Sequence, residues 1–343
     1  MLTVDQIPKL VLDRGYAALA DEYSTREEVW RRFVTPSNII VPSADELTDF
    51  PYGHRELDSV GLGDLEEFQG GQRIEEDQTY DGYVRQYKLR HLGKTLTIDE
   101  EMMKMRNAES IITGMIVDFA RRQAGAASRF RNKYIAGMLQ KGTLAAGSTE
   151  YFDGSYRSTP DTNKGKIYDG KPWFAASGNA HPFASGASPS GSQNVNLIAS
   201  AALSSSTLDA AITSMEVHNA YDERGNEAES AYNRPRYLLV PSELRATAIA
   251  VTESELLPGT TTNDRNHNAG LVEPIVWPSL RDDTDAWWLL GEDCGLKVFD
   301  EGLPRLKTMV DEERRLIKVQ SMLYFGAHVK NWRGAVCNNK ATS

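Results

Sequence analysis

TLTIDEEMMKMRNAESIITGMIVDFARRQAGAASRFRNKYIAGMLQKG, residues 95–142, contains no proline and carries one long apolar period. Ile112, Met115, Ile116, Phe119, Ala126, Phe130, Tyr134 and Met138 recur at steps of three, four and seven, which places them on one face of a helix. Asp99, Glu100 and Glu101 at the front and Lys141-Gly142 at the back have the signs that suit a helix dipole. A helix from Asn107 to Lys141 would run roughly 50 Å at about 1.5 Å per residue. That is longer than an ordinary compact domain is deep.

Toward the C-terminus, Ile317, Val319, Leu323, Phe325, Ala327 and Val329 alternate with Lys318, Gln320, Met322, Tyr324, His328 and Lys330. This is the pattern of a half-buried strand, and fifteen such residues would span roughly 50 Å. A long strand beside a long helix makes an elongated α+β platform. Toward the N-terminus, Asp81-Gly82 is a turn signal between strand-like residues. Tyr83, Tyr87 and Leu89 alternate with polar neighbours, then Leu92, Lys94, Leu96 and Ile98 continue on the opposite phase. The flip near His91 predicts a bulge or bend in a long ribbon that feeds the helix.

Residues 1–40 hold two short helical patterns, Leu10–Glu22 and Thr25–Phe33, the second opened by a Ser24/Glu27 capping box. Pro36, Pro42 and Pro51 follow with little periodicity, which predicts an extended arm. Residues 143–195 are rich in Gly, Ser, Asn and Pro, and their aromatics Trp173, Phe174 and Phe183 are expected to dock elsewhere. Beyond them come a helix at Thr207–Arg224 stopped by Gly225, a strand at Arg236–Val240, and a helix at Glu243–Glu253 capped by Ser242. Strands at Val272–Trp277 and Trp287–Leu290 complete a small mixed α/β module.

The chain has 343 residues, 40% of them hydrophobic, with six Trp and fourteen Tyr, so it can bury a real core. Its net charge of -10 argues against gripping nucleic acid through the whole surface. That charge is segregated. Residues 41–81 carry twelve acids and two Arg, whereas 85–141 carry twelve Lys or Arg and five acids. The acidic stretch is therefore expected to lie against something basic, such as the long helix of a neighbouring copy. Two cysteines, Cys294 and Cys337, imply no disulfide framework, and no apolar run is long enough to span a membrane. A soluble product of a reducing interior is expected.

Catalytic patterns are not met. Gly93-Lys94-Thr95 resembles the end of a phosphate loop, but Lys88 stands where the first glycine belongs. His54-Arg55-Glu56 has a zinc-deaminase spacing without the paired cysteines. The other histidines, His91, His181, His218, His267 and His328, are scattered, and Asp282, Asp283 and Asp285 lack calcium-loop spacing. No catalytic residue, cofactor or metal site is expected. A metal-dependent hydrolase using His54, Glu56 or the Asp282 cluster is the competing reading from another class.

The order of parts resembles the major capsid protein of tailed bacteriophages, the Hong Kong phage-type fold, and within it the Mu-like major head subunit. The residues that carry the resemblance are the arm, the ribbon entering the long helix, and the loop Tyr168-Asp169-Gly170-Lys171-Pro172-Trp173-Phe174 with His181-Pro182. Arg236 to Pro241 before a helix, Tyr324-Phe325-Gly326-Ala327 and Asn331-Trp332-Arg333-Gly334-Ala335 complete it. The resemblance implies an N-terminal arm at 1–56, an E-loop at 57–98, and a P-domain with spine helix and long loop at 99–199. An A-domain at 200–300 and P-domain return strands at 301–343 follow. It implies a virion protein, assembled in the host cytoplasm, that forms the hexamers and pentamers of an icosahedral or prolate shell around double-stranded DNA, which it contacts weakly and without specificity. Scaffold, decoration, portal and head-completion proteins are the implied partners; no membrane is. An encapsulin-like cellular compartment is the alternative within the fold. Interface candidates are Glu66, Glu67, Glu75, Glu76, Tyr83, Tyr87, Arg121, Arg122, Trp173, Phe174, Trp332 and Arg333. Lys88 or Lys94 with Asn331 would be the nearest equivalents of the lysine–asparagine crosslink some members make, and the Mu-like resemblance gives no ground to expect it.

Overall fold

A computed structural model describes residues 6–38, 55–60, 80–86, 89–143, 151–152, 165–182, 194–198, 201–222, 225–227, 230–256, 265–311 and 313–338, with backbone only at 55–60 and 80–86. His54, Glu66, Glu67, Glu75, Glu76, Tyr87, Lys88, Phe183 and the side chain of Tyr83 lie outside the described residues.

The helices are α1 (Gln6–Leu10), α2 (Tyr16–Ser24), α3 (Ala108–Lys141), α4 (Ser205–Thr213) and α5 (Arg245–Thr252). The strands in chain order are β1 (Ser37–Asn38), β2 (Arg55–Val60), β3 (Tyr80–Gln86), β4 (Arg90–Asp99), β5 (Leu197–Ile198) and β6 (Pro235–Val240). They continue with β7 (Glu273–Val276), β8 (Trp287–Gly291), β9 (Leu296–Asp300), β10 (Arg305–Asp311), β11 (Leu316–Val329) and β12 (Ala335–Asn338). The chain divides into two compact units. One holds residues 1–49, 89–135 and 298–327; the other holds 50–88, 136–297 and 328–343.

The first unit is built on α3 and β11. Helix α3 has 34 residues and begins one residue after the expected start. Its acidic start signal works elsewhere: Asp99 accepts a bond from the Glu101 amide at 2.9 Å and caps a separate 3-10 turn, Glu100–Lys104. Strand β11 alternates buried and half-buried residues along nearly its whole length, as period two requires. It pairs antiparallel with β10, from Leu316 to Met322, and with β4, from Leu316 to Phe325. Ile317 and Val319 of β11 share one apolar cluster with Ile112, Ile116, Phe119 and Ala120 of α3. Each such fully buried Ile or Val contributes about 1.5–3 kcal/mol relative to exposure.

Ile7, Val11, Ala18 and Leu19 complete that cluster. Residues 6–38 are therefore anchored to their own unit through these side chains, while Leu12 stays exposed. The first helical pattern becomes α1 and α2 joined through a π turn at Val11–Gly15. The second shrinks to a 3-10 turn at Val29–Arg32. Ser24 opens no helix: its hydroxyl donates back to the Asp21 carbonyl at 2.7 Å and closes α2.

The ribbon also differs from its expected form. β2 and β3 pair antiparallel with a bulge between Leu57 and Ser59. Asp81-Gly82 sits inside β3, with Asp81 opposite Ser59, so strand pairing overrides the local turn signal. β4 belongs to the sheet of β11. The phase flip near His91 marks passage from one sheet to another, which a period-two pattern cannot distinguish from a bulge.

In the second unit the sheet order is β5-β12-β8-β6-β7. α4 and α5 contribute Leu208, Ala211, Ala248 and Val251 to one apolar cluster with Leu238, Val240, Trp287, Leu289 and Val336. Helix α4 opens with a capping box between Ser204 and Thr207. It ends at Thr213 and passes through a π turn, Ser214–His218, instead of continuing to Arg224. Ser242 provides no side-chain cap; a 3-10 turn, Ser242–Leu244, precedes α5.

β10 lies at the edge of its sheet, and its outward backbone groups at Leu306 are covered by one side chain. The Leu306 amide donates to the Tyr16 hydroxyl at 2.8 Å, and that hydroxyl donates to the Leu306 carbonyl at 3.2 Å. This blunts an edge that would otherwise offer unpaired groups. Tyr16→Phe should destabilise the first unit by about 1–2 kcal/mol, read as a lower urea midpoint with an unchanged slope; an unchanged midpoint would show that the bonds contribute nothing.

Candidate assembly surface and the clusters behind it

Helix α3 buries Arg131 completely. Its guanidinium meets Asp300 at 2.7 Å and Glu28 at 3.1 Å, and also donates to the Gly302 carbonyl. Arg31 meets the same two carboxylates, each at 2.6 Å. Arg131, Glu28, Arg31 and Asp300 thus form a closed ring of alternating charge with no net charge. The Tyr23 hydroxyl joins it, accepting from Arg31 at 2.9 Å and Arg131 at 3.2 Å and donating to Glu28 at 3.2 Å. Burial pushes the Tyr23 phenol up, against the opposing pull of Arg131. Burial works against the Arg31 cation, but the Glu28 bond and the surrounding negative groups outweigh it and raise its pKa.

Beside the ring, Trp30 meets Phe325 edge-on at 6.3 Å, and Phe325 meets Phe130 and Tyr134 at 6.0 and 5.7 Å. β1 pairs parallel with β9 at Ser37–Phe299 and Asn38–Asp300. The arm, helix and sheet of the first unit are therefore tied at one point by charge, aromatic edges and backbone bonds.

A second polar hub holds the other unit. Asn196 is wholly buried. Its amide NH2 faces the carbonyls of Trp173, Trp332 and Ala335 at 2.8, 3.2 and 3.1 Å, while its oxygen accepts from the Ala175 amide at 2.8 Å. His181 sits between Asp169, at 2.5 Å, and Asn196, at 3.3 Å, with its ring stacked on Trp332 at 4.3 Å. This cluster orders residues 165–182 and 194–198, in the stretch that composition alone reads as loop.

The expected interface residues separate into two groups. Arg121 and Arg122 are exposed on α3, and Arg122 pairs with Asp118 at 2.9 Å. Trp173, Phe174, Trp332 and Arg333 are buried within the second unit. Trp173 stacks on Phe174 at 4.7 Å, and Arg333 lies over the Trp332 ring at 4.6 Å. Their placement is interior and leaves those side chains almost no surface to offer a neighbour. Sequence reasoning passed over Arg131 and Asn196, and it read His181 only as one scattered histidine and as part of the His181-Pro182 motif. Arg131 carries a signal in retrospect, as a cation among Phe130, Tyr134 and Ile135 on the apolar side of the helix; Asn196 carries none. Burial pushes the Cys294 thiol up to about 12, which fits an unreactive thiol.

A family model for phage capsid proteins matches residues 82–338, well over half of the chain. The chain belongs to the phage capsid protein family. It is a structural protein of the virion, a major capsid protein whose copies associate into a shell, and this is the function that the resemblance implied. Among solved structures, a chain of Mycobacterium phage Patience is 13% identical over 97% of this chain and 88% of that one, with a TM-score of 0.49. The capsid of Myoviridae phage XM1 is 12% identical over 92% and 93%, with a TM-score of 0.45. The procapsid of bacteriophage JBD30 is 12% identical over 100% and 77%, with a TM-score of 0.43. A comparison with curated proteins finds no match.

Arg131→Met should cost about 3–5 kcal/mol, because Glu28 and Asp300 stay buried with half their compensation removed. Arg31→Met, at the partly exposed corner of the ring, should cost about 1–2 kcal/mol. Urea unfolding of the two variants checks the order, and equal costs would mean that burial does not set it. Asn196→Ala should cost about 3 kcal/mol by stranding several buried carbonyls, visible as a lower Tm.

Proposed function

We propose that this protein is the major head subunit of a tailed phage. Its copies form hexamers and pentamers of an icosahedral or prolate shell around double-stranded DNA, assembled in the host cytoplasm first as a procapsid and then expanded. Membership of the phage capsid family over residues 82–338 carries the reading. In this reading residues 1–56 are the N-arm, 57–98 the E-loop, 99–199 the P-domain with α3 as its spine, 200–300 the A-domain and 301–343 the P-domain return. Scaffold, decoration, portal and head-completion proteins are the further partners it implies.

The overall charge suits the role. A shell with net charge -10 per subunit repels the phosphate backbone over most of its area, so packaged DNA stays free to leave. Cations that face the interior would make only local, salt-sensitive contacts.

Negative-stain microscopy with light scattering of the purified protein tests this. Closed particles or capsomer rings are expected at raised concentration or salt. A uniform monomer or dimer under every such condition would overturn the shell reading.

A further inference from the structure

The amide of Asn196 fixes what the His181 ring must carry. Its Nδ2 lies against the carbonyls of Trp173, Trp332 and Ala335, and its Oδ1 accepts from the Ala175 amide at 2.8 Å. Turning the amide over would set oxygen against three carbonyl oxygens and NH2 against an N–H, so four backbone groups determine its orientation. The same Oδ1 faces His181 Nε2 at 3.3 Å. On the other side of the ring, Nδ1 stands 2.5 Å from Asp169 Oδ2. Both ring nitrogens therefore face acceptors. A neutral imidazole has one N–H and one bare lone pair, and either tautomer would turn that lone pair on an oxygen. Asp169 Oδ1 accepts from the Lys171 amide at 2.9 Å, a bond that favours the ionised carboxylate and leaves the shared proton on the ring.

Burial and stacking point the same way. The His181 and Asp169 side chains are 0% and 1% exposed. A carboxylate beside a neutral ring would be a buried charge without compensation, whereas beside an imidazolium the pair is neutral. Trp332 lies against the ring at 4.3 Å with the planes 9° apart, and an indole face attracts a cation. The other ionisable groups on the elements packed here are Tyr168 and Lys171 near Asp169, Arg333 beside Trp332, and Cys337 on β12. The Lys171 ammonium bonds Asn179 at 2.7 Å, and Arg333 donates to the Asp222 carbonyl at 3.3 Å. Among the described residues, His181 is the cation bonded to Asp169. We propose that His181 is an imidazolium paired with Asp169, and that its proton clamps residues 165–182 and 194–198 onto Trp332 and β12 until alkaline pH removes it. The unfolded chain gives up a histidine proton near pH 6.5, roughly the value of a free ring, while the folded hub keeps it. Above that pH the folded state holds one proton more, so stability falls as pH rises until the folded ring also lets go. Below it both states are protonated and the contribution is constant.

Magic-angle-spinning NMR of the full chain, isotope-labelled at histidine, reads the ring directly, and correlation to the His181 backbone assigns it. At about pH 7.5, above the range of a free ring, both His181 ring nitrogens should carry a bonded hydrogen. A bare Nδ1 or Nε2 overturns the charged ring. The clamp is read by urea unfolding of the unaltered chain, His181→Gln and Asp169→Asn from about pH 6.5 to about pH 8.5. Asp169→Asn leaves a hydrogen-bonding group beside the ring without the charge that holds its second proton. The unfolding constant of the unaltered chain should climb by up to about tenfold per pH unit more than that of either variant. Parallel pH profiles for all three overturn the clamp. If neither variant folds, the ring spectrum decides: a doubly protonated His181 at about pH 7.5 supports the proposal and a neutral one overturns it.

Discussion

A buried arginine is tolerated only where its charge and its donors are all met. Arg131 meets that condition through Glu28 from the arm and Asp300 from the end of β9, with Arg31 closing the ring on the solvent side. Each arginine meets both carboxylates, and neither arginine alone would neutralise the two. The interaction is therefore collective, and it specifies one arrangement of arm, helix and sheet. Apolar burial around Ile112, Ile116 and Ile317 supplies the larger stabilisation; the ring decides which segment may cover that core.

The second unit solves a different problem with the same means. Residues 165–182 and 194–198 have too little periodicity to form long strands or helices, so their backbone groups need side-chain partners once buried. Asn196 serves several carbonyls at once, and His181 links it to Asp169 while stacking on Trp332. Trp173 and Phe174 fill the space behind. Residues 165–182 and 194–198 pack as a buried cluster because Asn196, His181 and Asp169 meet many of its polar groups.

For a capsid protein the division of labour on α3 matters most. One side of the helix is committed to the subunit interior by Ile112, Ile116, Ala120, Ala124 and Arg131. The other presents Arg121, Arg122, Arg129 and Lys133 to solvent. Interior contacts keep the subunit intact while exposed charge remains available for association that can be screened and rearranged. A shell built from many copies needs both.

The sequence alone determined the long elements. Helix α3 and strand β11 repeat their periods for 34 and 14 residues, and over such lengths the choice of buried face outweighs local propensity. The α+β class, the charge segregation and the resemblance to phage capsid proteins were legible at the same level. Tertiary structure decided what short or polar signals left open. It folded residues 6–38 onto their own unit, moved β4 into the sheet of β11, drew Asp81-Gly82 into a strand, and buried Trp173, Phe174, Trp332 and Arg333 where contacts to a neighbour were expected. The reason is the same in each case: a turn dipeptide, a cap or a lone aromatic contributes about 1 kcal/mol locally. Residues distant in sequence, such as Glu28, Arg131 and Asp300, contribute more once the fold brings them together.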